Sequence, residues 1–241
     1  MLKSLREWVF GRPSVVGEDR LRAWAEGRGW VFKRSAKHDG FIIETPDDAP
    51  GWRIEWGPSA RRYIGNHELR LRGDTGIDPQ THALVMPKPL LDALEREIYS
   101  QYTDNVQTRL DEETPEEMRW LAMSPRLLGG ALGSLRGRFA VVGNVAPWMT
   151  AWIGGPLGDA FLVFAASLQG DPTPVAPLSP DSTSELSAQP ITPMAMIARR
   201  SELILRVAMP VPHLPTMEQA VVLFDLALRE ARRFGEAAGD A

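Results

Sequence analysis

The chain has 241 residues, of which 44% are hydrophobic and 24% charged, a composition typical of a folded globular protein and not of a disordered one. The formal net charge is −4, so no overall basic excess attracts the molecule to nucleic acid. The absence of cysteine excludes disulfides, thiolate metal sites and cysteine nucleophiles.

Residues 1–12 are predicted to form an N-terminal amphipathic segment. Leu2, Leu5, Trp8 and Val9 fall on one face of a helix whose other face is charged. That apolar face can pack on the protein's own domain, on a partner or on a membrane surface. The membrane is the less favoured alternative, because so short a segment binds lipid only weakly. The segment also lacks the apolar core and cleavage site of a secretory signal, so we expect a cytoplasmic location.

Residues 17–110 are expected to form the first of two α+β halves. The predicted elements, in chain order, are a helix at 19–26, strands at 30–32, 40–44, 52–56, 68–72 and 83–86, and a helix at 90–102. Along the third and fourth strands apolar and charged residues alternate with period two, which is typical of antiparallel strands with one buried face. Gly65 and Asn66 suggest a tight turn. A two-residue loop would put Arg62 beside Leu69 on one face, so we expect a longer loop or a bulge.

Residues 111–241 are expected to form the second half, with a Pro/Ser-rich loop at 170–193. Thr114 is predicted to cap a helix that starts with Pro115. A strand is predicted at 138–142. The uncharged run at 139–158 includes this strand and is interrupted by glycines and prolines. We therefore interpret it as a buried strand and a short core helix and not as a membrane span.

A strand at 202–209 precedes the last helix, which is expected to open with a capping box at Thr216 and to end at Gly235. The two halves share a Met-Pro-x-Pro pattern, at 86–89 and again at 209–212, between a strand and a long helix. This pattern suggests a weak tandem repeat with a groove between the halves. The sequence thus predicts an α+β fold with antiparallel sheets in two sequential halves, each followed by a long covering helix.

No motif indicates a catalytic, metal or cofactor site. The triplet Asp74-Thr75-Gly76 is one that aspartic proteases use in pairs, but it occurs once and follows a charged stretch, so a polar turn is predicted. The glycines at 129–137 lack the lysine and the strand-to-helix order of a phosphate loop. The histidines lack ligand spacing and are scattered: His38, His67, His82 and His213. We therefore expect no metal, no cofactor and no assignable catalytic residue.

One cluster of charge suggests a binding surface. If the apolar residues of the alternating strands face the core, the opposite face carries the candidate binding residues: Arg53, Arg61, Arg62, Arg70 and Arg72, with His67 beside them. Pairing of these arginines with Glu55 and Glu68 would make the face merely the solvated side of a sheet. Alternatively, the face recognises an anion or a partner, because arginine is enriched at interfaces.

The leading hypothesis is therefore a soluble, non-catalytic binding or assembly module that uses this arginine-rich sheet face. An acidic protein surface or self-association suits the composition better than nucleic acid as its partner. The alternative is an enzyme or small-ligand binder with its site between the two halves, although no recognisable catalytic constellation supports enzymatic activity. A third hypothesis is peripheral membrane attachment through residues 1–12.

Overall fold

The computed structural model describes residues 17–35, 39–46, 51–104, 115–168 and 192–239, with only the backbone described for 100–104 and 234–239. Several sequence features lie outside these residues: the amphipathic segment at 1–12, His38, Thr114, the connector at 105–113 and most of the Pro/Ser-rich loop.

Eight strands and six α-helices follow one another along the described chain, with one 3₁₀ segment, Gly129–Gly137. The helices are α1 Glu18–Glu26, α2 Lys88–Asp104, α3 Glu116–Met123, α4 Ala146–Ile153, α5 Pro156–Leu168 and α6 Leu214–Gly239. The strands are β1 Val31–Arg34, β2 Phe41–Glu44, β3 Trp52–Pro58, β4 His67–Asp74, β5 Ala83–Pro87, β6 Phe139–Gly143, β7 Met194–Arg199 and β8 Glu202–Ala208.

All eight strands join in one antiparallel sheet, in the order β1-β2-β3-β4-β8-β7-β5-β6. The predicted α+β class and the antiparallel pairing are confirmed, and the helices follow groups of strands as expected. Strands from both halves alternate in the middle of the sheet, because β8 and β7 lie between β4 and β5. The tandem repeat stays a prediction.

One face of the sheet is covered along its whole width. Leu71 of β4 and Leu205 of β8 are fully buried there against the apolar stripe of α6, which includes Phe224 and Leu228. Helices α1, α4 and α5 and the 3₁₀ segment complete this layer, and Trp152 of α4 donates a 2.9 Å hydrogen bond to the carbonyl of Ala227. The period-two alternation of the strands selects which side chains enter this core.

The other face is only half covered. Helices α2 and α3 pack on the β5, β6 and β7 side, where Leu84 and Ile197 meet Leu91 and Leu94. The two long helices that follow the Met-Pro-x-Pro patterns, α2 and α6, therefore lie on opposite faces of the sheet. The half of this face over β2, β3 and β4 carries charged side chains, and among the described residues no helix packs over it.

Several boundaries differ from the sequence-based expectation. Strand β7 was not predicted, because its residues MAMIAR carry no period-two alternation. Pro115 is the N-cap of α3 and not its first residue. Helix α6 begins at Leu214, so Thr216 lies inside its first turn and is not the N-cap. The same helix also continues through Gly235, because a single glycine costs a helix only about 1 kcal/mol.

The loop between β3 and β4 is longer than two residues, as predicted, and runs from Ser59 to Asn66. Tyr63 and Ile64 of this loop are buried in the apolar cluster on the half-covered face. The uncharged run after residue 138 forms β6, α4 and α5, with Phe139, Trp152 and Phe161 in the core. No single helix within the described ranges is long and apolar enough to span a membrane, and α4 and α5 meet that test only as a pair bent by 63°.

Candidate binding face

The uncovered half of the sheet presents a ladder of charged side chains, here called the charged face: Glu44, Arg53, Glu55, Glu68, Arg70, Arg72 and Arg206. They share one face because they occupy alternate positions on β2, β3, β4 and β8 whose other positions supply the core. The structure thus brings Arg53, Arg70 and Arg72 together, as the sequence predicts. Whether the face binds anything depends on how completely these charges neutralise one another.

The guanidinium group of Arg70 is occupied by acceptors within the protein. Its Nε donates to Glu55 at 2.9 Å, and its Nη1 donates to Glu68 at 3.1 Å. Glu68 also accepts a 2.6 Å hydrogen bond from Arg206, with both side chains buried. The charges around Arg70 are therefore balanced, which is the solvated-sheet interpretation of this part of the face.

The pKa of Glu55 shows that the neighbouring arginines outweigh the effect of burial at this position. Burial acts to raise the pKa of Glu55, but the hydrogen bond from Arg70 and the charges of Arg70, Arg53 and Arg72 outweigh it. The pKa of Glu55 is therefore lower than its ordinary value, and the carboxylate stays ionised at neutral pH.

Arg53 and Arg72 are less well compensated. They are directly opposite each other in the β3–β4 register, so two like charges face one another across the ladder. The Nε of Arg53 lies 2.7 Å from Glu55, but its N–H is not aligned with the carboxylate. Arg72 reaches an acid only at 3.9 Å, on Glu202. The Nε groups of both arginines are buried without a hydrogen-bond partner in the described protein.

The electrostatics of Arg72 agree with this geometry. Burial lowers the pKa of its guanidinium, and the charge of Arg70 lowers it further, while Glu55 and Glu202 offset only part of the effect. A guanidinium remains charged in spite of such a shift. The direction of the shift means that the cation lies where additional negative charge would stabilise it.

A groove of about 450 Å³ opens beside these two arginines, and we call it the arginine groove. Its third arginine is Arg200, in the tight turn between β7 and β8. The backbone of Arg200 and Ser201 is left-handed, with φ of 48° and 66°, which non-glycine residues adopt at an energetic cost. The acids on the walls are Glu55, Asp74 and Glu202, so the groove is lined by three arginines and three carboxylates.

The other predicted site residues lie elsewhere. Arg61 binds the buried carboxylate of Glu117, which also accepts a 2.9 Å hydrogen bond from the hydroxyl of Tyr63. His67 stacks on Trp56 at a ring separation of 5.2 Å, at the opposite end of β4 from Arg72. Arg62 is exposed on the β3–β4 loop, and no described residue pairs with it. Arg61, Arg62 and His67 therefore do not join the arginine groove.

Sequence reasoning missed the contributions of the β7–β8 hairpin. Arg199 donates to Glu116 at 3.2 Å, and Arg200 also binds Glu116, which ties the hairpin to α3. The turn Arg200-Ser201 contains none of the glycine, asparagine or aspartate residues that usually mark such a turn. A signal was nevertheless present, because four polar residues at 199–202 separate two apolar runs at this point.

The remaining sequence candidates behave as ordinary structure. Asp74 accepts a hydrogen bond from the backbone of Gly76 in a polar turn, as predicted, and it is exposed. In the described part of the chain no group of three or more histidines and acids could hold a metal ion. A cavity of about 120 Å³ between the halves is lined mainly by apolar side chains such as Phe139 and Met194, with neither a histidine nor an acid.

A histidine and a serine from different halves also form a polar pair. His82, just before β5, has its Nε2 2.8 Å from the hydroxyl of Ser124 at the end of α3, and its ring stacks on Trp120. Burial lowers the pKa of His82, although the Gln80 carbonyl and the charge of Glu116 act to raise it. The imidazole is therefore mostly neutral at pH 7.

No protein-family model matches this sequence, and a comparison with curated proteins finds no significant match.

Arg70 and Arg62 are expected to differ sharply in their effect on stability. Arg70→Met should destabilise the protein by about 1–3 kcal/mol, because it leaves buried carboxylate oxygens without a donor. Arg62→Met should change stability by less than about 0.5 kcal/mol, because its side chain is exposed. Urea unfolding of both variants measures the difference, and equal effects would contradict the assignment of Arg70 to the fold.

The Glu117 carboxylate should make stability depend on pH. Burial acts to raise its pKa, but the hydrogen bond and charge of Arg61 lower it below its ordinary value. A lowered pKa in the folded state stabilises the protein above the unfolded pKa, and this contribution is lost as pH falls through the folded pKa. Glu117→Gln should thus cost roughly 3 kcal/mol at pH 7, as for a broken buried pair.

The cost of Glu117→Gln should shrink progressively below pH 4.5, the ordinary pKa of a glutamate. Urea unfolding at a series of pH values tests this, with Glu26→Gln as the same change at an exposed position. A destabilisation by Glu117→Gln that is independent of pH would show that its charge is not what stabilises the fold.

Proposed function

We propose that this protein is a non-catalytic binding module that captures an acidic segment of a partner protein in the arginine groove. The observation that carries the proposal is the pair formed by Arg53 and Arg72. These residues are opposite each other in the β3–β4 register, each with a buried Nε that has no hydrogen-bond partner among the described residues, and both line an open groove. A carboxylate in the groove would approach the accessible parts of these side chains, which are 43% and 35% exposed, and would place negative charge beside both cations.

The partly buried state of these arginines favours binding. Removing a charged group from water is expensive, and much of that cost is already met for Arg72 in the free protein because its guanidinium is partly desolvated. A ligand carboxylate therefore gains charge-assisted hydrogen bonds with little further desolvation of the protein. Arg200, which is 74% exposed at the rim, can supply a further donor.

The acids around the groove favour a peptide over a polyanion. Glu55, Asp74 and Glu202 share the walls with the three arginines, so a continuous run of phosphates would meet repulsion as well as attraction. Separated carboxylates on a peptide can meet the arginines and avoid these acids. The net charge of −4 also disfavours nucleic acid as the partner.

The test uses a fluorescently labelled peptide Glu-Gly-Glu-Gly-Glu and its glutamine counterpart, with binding followed by fluorescence anisotropy at low salt. We expect the glutamate peptide to bind and the glutamine peptide to bind more weakly. Arg53→Gln/Arg72→Gln should weaken binding tenfold or more, since a hydrogen bond to a charged group contributes about 1.5–3 kcal/mol. Added salt should weaken binding of the glutamate peptide to the wild-type protein as well.

Arg62→Gln is the matched control, because it removes an exposed arginine outside the groove. It should leave the affinity unchanged. An equal loss of affinity in Arg62→Gln and in the groove variant would reduce the effect to net charge. Unchanged affinity in a correctly folded groove variant, judged by circular dichroism, would refute the proposal.

A second candidate function is a hydrolase with its site between the halves, and the His82–Ser124 pair favours it. A neutral imidazole 2.8 Å from a serine hydroxyl has the separation of a base and a nucleophile. The ring is oriented by the carbonyl of Gln80 and not by a carboxylate, and neither residue lines the cavity between the halves. This candidate is therefore the weaker of the two.

A fluorophosphonate probe, which reacts with nucleophilic serines, separates the two functions. The binding module predicts no covalent labelling. Labelling of the wild-type protein that disappears in both Ser124→Ala and His82→Ala would instead establish a serine nucleophile. Intact-mass measurement detects the adduct, and a labelled serine other than Ser124 would count against this pair.

A further inference from the structure

A second surface, separate from the charged face, lies on the other side of the sheet. Helices α5 and α6 leave between them a groove of about 370 Å³, here called the helical groove. Its walls are formed mainly by Ala160, Val163 and Phe164 of α5 and by Pro215, Val222 and Leu223 of α6. On α6 the lining residues recur at helical spacing, and the exposed Pro215 and Val222 extend the apolar surface of the helix outward from the core residue Leu223.

The exposure of two side chains indicates that the helical groove lacks a cover. Val163 is 69% exposed and Val222 is 68% exposed, and both line the same groove. A single exposed valine is ordinary on a protein surface. Two of them beside one apolar groove are more typical of a surface that another apolar element covers.

The N-terminal segment at 1–12 is within reach of the helical groove. The described chain begins at Gly17, and α1 is anchored to α6 where Trp24 Nε1 and Arg28 donate to Glu218 at 2.9 and 3.1 Å. Glu218 also lines the helical groove. Gly17 and Trp24 are separated by about 10 Å along the helix axis, and residues 11–16 can extend over about 20 Å. The tether is therefore long enough.

The chemistry of the segment also matches. Leu2, Leu5, Trp8 and Val9 supply an apolar stripe of the length that a groove between two helices accepts. Lys3, Arg6 and Glu7 lie on the other face of the predicted helix. At the rim of the helical groove the two cations would meet the exposed Asp159, one turn before Val163 on α5, while Glu218 already pairs with Arg28.

We propose that the helical groove is the docking site of the chain's own N-terminal amphipathic segment, whose apolar face covers Val163 and Val222. The segment thereby extends the helical layer on this side of the sheet. This inference is independent of the arginine groove, since the two surfaces lie on opposite faces of the sheet.

The cysteine-free chain permits a direct test by disulfide trapping in the full-length protein. Leu5→Cys is combined with Val222→Cys, with Val163→Cys or, as control, with Met123→Cys on α3. Met123 is 75% exposed, so it matches the valines in accessibility but lies on the other face of the sheet. Mild oxidation should give an intramolecular disulfide with one or both valine positions and none with Met123, because a disulfide requires Cα atoms within about 7 Å.

Three outcomes would overturn the proposal. Equal trapping at Met123 would show random collision of a tethered segment. Disulfide-linked dimers without the intramolecular product would assign the groove to a second copy of the chain. Trapping at neither valine would show that the segment does not occupy the helical groove. If the wild-type protein also floats with vesicles of anionic phospholipid, the segment binds a membrane surface instead.

A second measurement protects the test against poor disulfide geometry. The rate at which Val222→Cys reacts with a soluble thiol reagent should rise at least several-fold when Leu5→Asp and Trp8→Asp are added, because the segment no longer covers it. The rate at Met123→Cys should stay the same. An unchanged rate at position 222 would contradict docking even if a disulfide forms.

Discussion

A guanidinium group that is partly buried on a sheet needs acceptors for its N–H groups, and this requirement organises the uncovered half of the structure. Arg70 satisfies it with Glu55 and Glu68, and Arg206 satisfies it in part through Glu68, while the Nε of Arg206 has no hydrogen-bond partner among the described residues. The centre of this network is buried. Such pairing contributes little net free energy but is costly to break, because a buried charge without a partner is strongly unfavourable. The network therefore holds β3, β4 and β8 in one register and one orientation.

The same requirement is not met at Arg53 and Arg72. In the β3–β4 register these residues are opposite each other. The Nε of each is buried without a hydrogen-bond partner among the described residues, although Arg53 lies within ion-pair distance of Glu44 and Glu55. The charged face therefore has two parts. The charges around Arg70 are paired within the protein, whereas Arg53 and Arg72 are less well compensated. The strained turn at Arg200 lies beside the second part, and such strain persists only where surrounding contacts, here those of Glu116, hold it.

Much of the fold could be predicted from local patterns. The alternation in β3 and β4 correctly predicted a half-buried antiparallel sheet, and the mismatch between Arg62 and Leu69 correctly predicted a long loop. Strand β7 could not be predicted this way, since a strand buried on both faces has no alternation and resembles a buried helix. The end of α6 was also misjudged, because packing of its apolar stripe overrides the weak preference of one glycine.

The sequence by itself determined the class of the fold and the composition of the charged face, because side-chain alternation along a strand is a local property. Only the tertiary structure decided which arginines are neutralised. Glu68, Arg206 and Glu117 are distant in sequence from some of the groups they bind, and strand order brings them together. The tertiary structure likewise separated Arg61, Arg62 and His67 from Arg53 and Arg72, because the length of β4 carries them to opposite ends of the sheet.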